Sequence, residues 1–140
     1  MANSKAGKNI NSQIEKIHKN NISYFQKKEK ELKKNEEDII KQKNIISKEE
    51  FKKKIEILRG KANEYRKSRK EKIDKITKQR LTATSKIVKE LKPILADYAD
   101  QNSISIIIQK KNIIIGKSNL DITNDILSLL DKKINKINLD

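Results

Sequence analysis

The apolar positions of the chain fall into three regimes. From about Lys8 to Lys43 they sit at Ile10, Ile14, Ile17, Ile22, Phe25, Leu32, Ile39 and Ile40. Steps of three, four and seven mark one face of a helix. The stripe is thin, because Asn21, Lys28, Glu29 and Glu36 interrupt it. The pattern breaks at Asn44–Ser47. Ser47 with Glu50 three residues on, then Phe51, predicts a capping-box start, with Ile46 placed to staple against Phe51 or its neighbour. A second stripe runs through Phe51, Ile55, Leu58, Ala62, Tyr65, Ile73, Ile76, Ala83, Ile87, Leu91, Ile94, Leu95 and Tyr98. The spacing predicts one helix from Lys48 to Gln101, roughly 80 Å long at 1.5 Å per residue. A helix of that length cannot wrap a compact core. It is expected to pair antiparallel with the first helix as a coiled-coil arm, kinked at Pro93 where the ring removes a hydrogen bond.

The third regime is β-like. Residues 103–115 hold seven isoleucines in thirteen positions. Alternation at Ile104, Ile106 and Ile108 predicts a strand over 103–109, "QKKN" a turn, and 112–116 a returning strand that stops at Gly116. That register puts Ile104, Ile106, Ile108, Ile113 and Ile115 on one face and Ile107 and Ile114 on the other. Asp121 or Thr123 is expected to cap a last helix over 122–136, its apolar side formed by Ile126, Leu129, Leu130, Ile134 and Ile137. The expected fold class is mainly α with a small β base (α+β). An arm spans 5–92 (helix 5–43, turn 44–47, helix 48–92). A base spans 93–140 (helix end 93–101, strands 103–109 and 112–116, C-terminal helix 122–136). A two-stranded ribbon is marginal alone, and open apolar edges aggregate. Copies of the chain are therefore expected to join through Ile104, Ile106, Ile107, Ile108, Ile113, Ile114 and Ile115 into a shared sheet or barrel from which the arms hang.

Charge adds a class of partner. Lys and Arg number 34 against 19 Asp and Glu, a net charge of +15. A surface of that sign speeds capture of acidic partners, although the Lys, Asn and Ile bias of an AT-rich genome would also raise the lysine count. The densest block is "RKSRKEKIDKITKQR", Arg66 to Arg80, with eight basic groups against Glu71 and Asp74. No apolar run approaches the roughly 20 residues of a membrane span, and "MANSKAGKNINSQ" lacks the apolar core of a signal peptide.

Catalytic chemistry has little material. There is no cysteine, hence no disulfide and no thiolate metal site. His18 stands alone on a polar helix face. Gly7-Lys8 lacks the other residues of a phosphate loop. Glu36, Glu37 and Asp38 are consecutive, so they cannot all point one way on a helix. No enzyme activity, cofactor or metal is expected.

Two long helices followed by "ADYADQNSISIIIQKKNIIIGKSNLDITNDILSLLDKKI" resemble the OmpH-like (Skp) chaperones of the periplasm. That family ends in a helix, a strand, a turn, a second strand, and an Asp-Ile-Thr element opening a last helix. Here the element is Asp121-Ile122-Thr123. "NSKAGKNINSQIEKI" is similar to the start of the family's first helix. The resemblance implies a homotrimeric, jellyfish-like body with three arms around a cavity. It also implies periplasmic location and ATP-independent holding of unfolded outer-membrane proteins. It leaves anionic lipid or lipopolysaccharide open as further partners. As written, the chain shows neither the family's signal peptide nor its first strand before the first helix, a departure that a late start codon or a fragment that has lost them would explain.

Under that reading Tyr65, Arg66, Lys67, Arg69, Lys70, Lys75 and Lys78 are the candidate client-binding residues. Lysine and arginine stems lie along apolar client surface while their heads stay wet. The plainer reading is a solvated helix face supported by i,i+4 pairs such as Glu71–Lys75. Likewise Tyr24, Phe25 and Tyr65 either fill the seam between the helices or present a ring to the client. Two rivals remain. A nucleic-acid-binding coiled coil fits the charge, but few aromatics and few arginines disfavour it. A structural spacer would explain the arms but not the isoleucine segment.

Overall fold

The computed structural model describes residues 2–139. It contains α1 (Lys5–Lys41), α2 (Lys48–Gln101) and α3 (Thr123–Lys133), with single 3₁₀ turns at Lys110–Asn112 and Ser118–Leu120. Contacts divide the chain into two compact units. One joins the residues up to Ile14 with those from Lys78 onward, and the other is Glu15–Thr77.

The second unit is a helical hairpin. Its turn is closed by backbone bonds, with Ile45 N and Ile46 N both donating to the Gln42 carbonyl at 2.9 and 3.1 Å. The capping box forms as its spacing predicts. Ser47 N donates to Glu50 Oε2 at 3.3 Å, and Glu50 N donates to Ser47 Oγ at 3.2 Å. Two otherwise orphaned donors at the start of α2 are thereby satisfied. The seam between the helices is as thin as the stripe: among the described residues of this unit only Phe25 is buried.

The first unit holds the core. Ala6 and Ile10 of α1, Ala83, Ile87 and Ile94 of α2, and Ile126 and Leu130 of α3 bury together with Ile137. Small Ala6 and Ala83 let the helices approach, and the isoleucines fill the space around them. Each large side chain removed from water contributes about 1.5–3 kcal/mol. The start of α1 is capped twice. Gly7 N donates to Ser4 Oγ at 3.1 Å, and Lys5 N donates to Asp131 Oδ1 of α3 at 2.7 Å. A carboxylate at a helix N-terminus also complements the helix dipole.

α3 ends at Lys133, short of the expected 136, and Ile134–Leu139 continue as an extended strap along α1. Side chains one turn apart on α1 hold its backbone. Gln13 Nε2 donates to Ile137 O at 2.7 Å, while Ile137 N and Leu139 N donate to Asn9 Oδ1 and Gln13 Oε1, each at 3.3 Å. Ile134 and Ile137 still reach the core, but from an extended backbone and not from a helix face.

The expected β base is not there. No strand occurs among the described residues, so the α+β class with strands 103–109 and 112–116, and the β-hairpin body drawn from it, is corrected to an all-helical fold with irregular connections. The alternation was real, but a ladder needs partners across it. The turn at Lys110–Asn112 instead closes on itself, with Asn112 N donating to Gln109 O and Ile113 N to Lys110 O. The following residues lead into a second 3₁₀ turn, not back along the first segment. α2 runs unbroken through Pro93 to Gln101.

Candidate functional site

Three rings meet at the middle of the hairpin. Phe25 contacts Tyr24 and Tyr65 edge to face, with centroids 5.2 and 5.6 Å apart. Phe25 is buried, Tyr65 half-buried and Tyr24 exposed. Lys72 of the basic block lies 3.9 Å above the Tyr24 ring, a cation–π contact that holds the ammonium against the hairpin. On either side of these rings the seam opens. A groove of about 430 Å³ is lined by Tyr24, Lys28, Glu31, Leu32, Lys61 and Tyr65, among others. Another of about 310 Å³ is lined by His18, Ile22, Phe25, Tyr65, Arg69 and Ile73, among others. The Lys28 ammonium is held above its ordinary range by the Glu31 carboxylate 2.7 Å away.

The basic residues do not form one patch. Arg66, Lys67, Arg69, Lys70 and Lys75 are all exposed, as is Lys78 in the other unit. At about 3.6 residues per turn, Arg66 and Lys70 share a face while Lys75 lies on the far side of the helix from them. Of these, Arg69 lines the second groove. Arg66 Nη1 reaches Asn63 Oδ1 at 3.4 Å. Glu71–Lys75 is not among the ion pairs of the described residues. His18 belongs to the second groove, and the described residues contain no cluster suited to a metal.

The isoleucine segment is the other candidate surface. Ile106, Ile108, Ile114 and Ile115 are 75, 57, 99 and 91% exposed; Ile107 and Ile113 are exposed too, and Ile104 is half-buried. A groove of about 560 Å³ runs along Ile108, Ile113, Ile114, Ile115 and Leu120. Its polar end is fixed by Asp121, which accepts from Lys110 Nζ, Thr123 Oγ1 and Thr123 N. The Lys110 hydrogen bond, then those from Thr123, hold this carboxyl far below its ordinary 3.8. A depressed carboxylate stabilises the folded state above its unfolded pKa, so the tie persists at neutral pH and is lost only as the pH falls well below that value. Nearby, Tyr98 Oη donates to Asp125 Oδ2 at 2.8 Å, which pushes the phenol above its ordinary 10.0. That contribution is whole below pH 10 and fades as pH rises past the raised value.

Both units have known counterparts. The family described as "Outer membrane protein (OmpH-like)" matches residues 1–130. The chain belongs to that family. A solved structure of a candidate OmpH-like outer membrane chaperone from Caulobacter crescentus CB15 superposes with a TM-score of 0.90 at 16% identity. The match covers 99% of this chain and 82% of that one. At that identity the likeness concerns the fold. No curated protein matches the chain.

Three features of this OmpH-like protein leave no clear mark in its sequence. The spacing predicts Ile22 and Ile73 as seam positions, yet they are 43 and 56% exposed and line a groove. The half-polar seam was the available signal: too few apolar partners face them to cover both. The Lys72–Tyr24 contact joins residues 48 apart in sequence and left no local mark. Asn9 and Gln13 lie off the apolar stripe of α1, and their role appears only once the strap lies beside them.

Proposed function

We propose that this OmpH-like chain is an ATP-independent holdase that shelters unfolded outer-membrane proteins in the periplasm. Family membership and the likeness to the Caulobacter OmpH-like chaperone support a chaperone role. The observation that carries the holding mechanism is the hairpin's open seam. Exposed Ile22 and Ile73 beside Tyr65 and Arg69 offer shallow apolar contact flanked by charge, with no deep pocket. Numerous weak contacts of this kind suit clients without a common sequence, and Arg66, Lys67, Lys70, Lys75 and Lys78 add attraction to acidic segments that salt weakens. Association of copies as a homotrimer through Ile104, Ile106, Ile107, Ile108, Ile113, Ile114 and Ile115 would enclose the client. The test is light scattering of an unfolded outer-membrane barrel protein diluted from urea. Substoichiometric chain is expected to suppress aggregation, and the triple change Arg66→Glu, Arg69→Glu, Lys70→Glu to weaken that suppression. No suppression, together with DNA binding that survives physiological salt, would replace this reading with a nucleic-acid one.

A further inference from the structure

The strap of Ile134–Leu139 is held by side chains and not by a ladder. Among the described residues, no backbone–backbone hydrogen bond reaches it beyond Ile134 N, which donates to Leu130 O at 2.8 Å. Two side-chain amides of α1 take over. Gln13 Nε2 donates to the Ile137 carbonyl, and Gln13 Oε1 accepts from Leu139 N. A carboxamide carries the same donor and acceptor as a peptide unit. Bonded to the carbonyl of one residue and the N–H two residues on, it grips the strap as one peptide unit of a parallel neighbouring strand would. Asn9 Oδ1 accepts from both Ile137 N and Gln13 Nε2, which fixes the Gln13 amide in that orientation. The strap's side chains alternate. Ile137 is buried in the core and Leu139 packs against it, while Asn138 between them is exposed.

We propose that Asn9 and Gln13 form a site for an extended polypeptide segment with apolar residues two apart, and that the strap is a built-in competitor that must leave before such a segment enters. Main-chain bonds of this kind give affinity without regard to sequence, and sockets for alternate side chains give selection. The seated strap shows the chemistry the site takes: an unpaired strand, apolar on one side and polar on the other. Its opening disrupts little. Asn135, Lys136 and Asn138 already face solvent, and a segment with few buried contacts opens at low free-energy cost. Being tethered, the strap competes at high effective concentration, so it excludes weakly matching segments and yields to well-matched ones. The site belongs to the three-helix unit and not to the hairpin with its grooves. It rests on the holdase reading only for the source of the incoming segment.

The probe is a fluorescein-labelled peptide with the sequence of residues 134–139, read by anisotropy against the full chain. The native chain is expected to bind it weakly, because its own strap fills the site. Ile137→Ala loosens that strap, and the larger open fraction should tighten peptide binding by about tenfold. Leu139→Asp loosens it at a half-buried position outside the buried core and should tighten binding too. Circular dichroism reports that each variant keeps its helices. Adding Gln13→Glu to either should abolish the gain, since a carboxylate cannot donate to the peptide carbonyl. A probe N-methylated at the nitrogen that stands for Leu139 should bind about tenfold more weakly. Exchange of the native Ile137 and Leu139 amides should quicken as the unmodified probe saturates, which reports displacement. Folded variants that do not bind the probe, or binding indifferent to Gln13→Glu, would overturn the proposal and leave the strap a clasp of the core. Probe binding by a chain that fails to suppress barrel-protein aggregation would overturn the holdase reading and leave the site standing.

Discussion

At the scale of single residues, the end of α2 shows one compromise. Ser103 adopts φ of 54°, the left-handed region. Around it Ile104 N donates to Ala99 O at 2.9 Å and Ser103 N to Asp100 O at 3.4 Å. These are the two bonds of a Schellman cap, whose left-handed position glycine usually fills. A β-carbon there carries a steric cost that glycine avoids. Ser103→Gly is therefore expected to raise stability by up to about 1 kcal/mol, read as an upward shift in the urea midpoint at unchanged slope. No apolar period or charge pattern reports this site, because the backbone angle is imposed by where the chain must go next.

At the scale of elements, the hairpin over 15–77 and the three-helix core are built differently. The core buries side chains from three helices and a strap, whereas the hairpin buries Phe25 alone. Grooves flank that ring, so the hairpin has little else to keep its helices together. Phe25→Ala is expected to cost about 3 kcal/mol, the low end for a buried phenylalanine because the seam is already open. Hydrogen exchange should quicken over 15–77 and leave the core amides near Leu130 protected. Tyr24→Ala, which removes an exposed ring, should cost less than about 1 kcal/mol.

At the scale of the whole molecule, the segment 104–115 presents more exposed isoleucine than packing within one chain uses. We propose this apolar surface as the site through which copies of the chain associate. Ile106→Lys together with Ile115→Lys removes two positions that are 75 and 91% exposed. Both changes are expected to leave helix content unaltered by circular dichroism while lowering the mass seen in light scattering at a given concentration. An unchanged mass would place self-association elsewhere.

The sequence by itself determined the helices. Periods of three and four, the Ser47–Glu50 box and the scarcity of glycine and proline act over a few residues, and backbone hydrogen bonds within a helix need no distant partner. The same locality made the thinness of the hairpin seam legible. Tertiary structure decided the rest. Alternating isoleucines can describe a strand or merely an apolar connection, and a ladder forms only where a second backbone lies alongside. Here the turn at Lys110–Asn112 and the Lys110–Asp121 tie took residues 103–116 elsewhere. The strap of Ile134–Leu139, the Asp131 cap and the Lys72–Tyr24 contact likewise join positions far apart in sequence. Their geometry exists only after the helices have packed, so no local pattern could contain it.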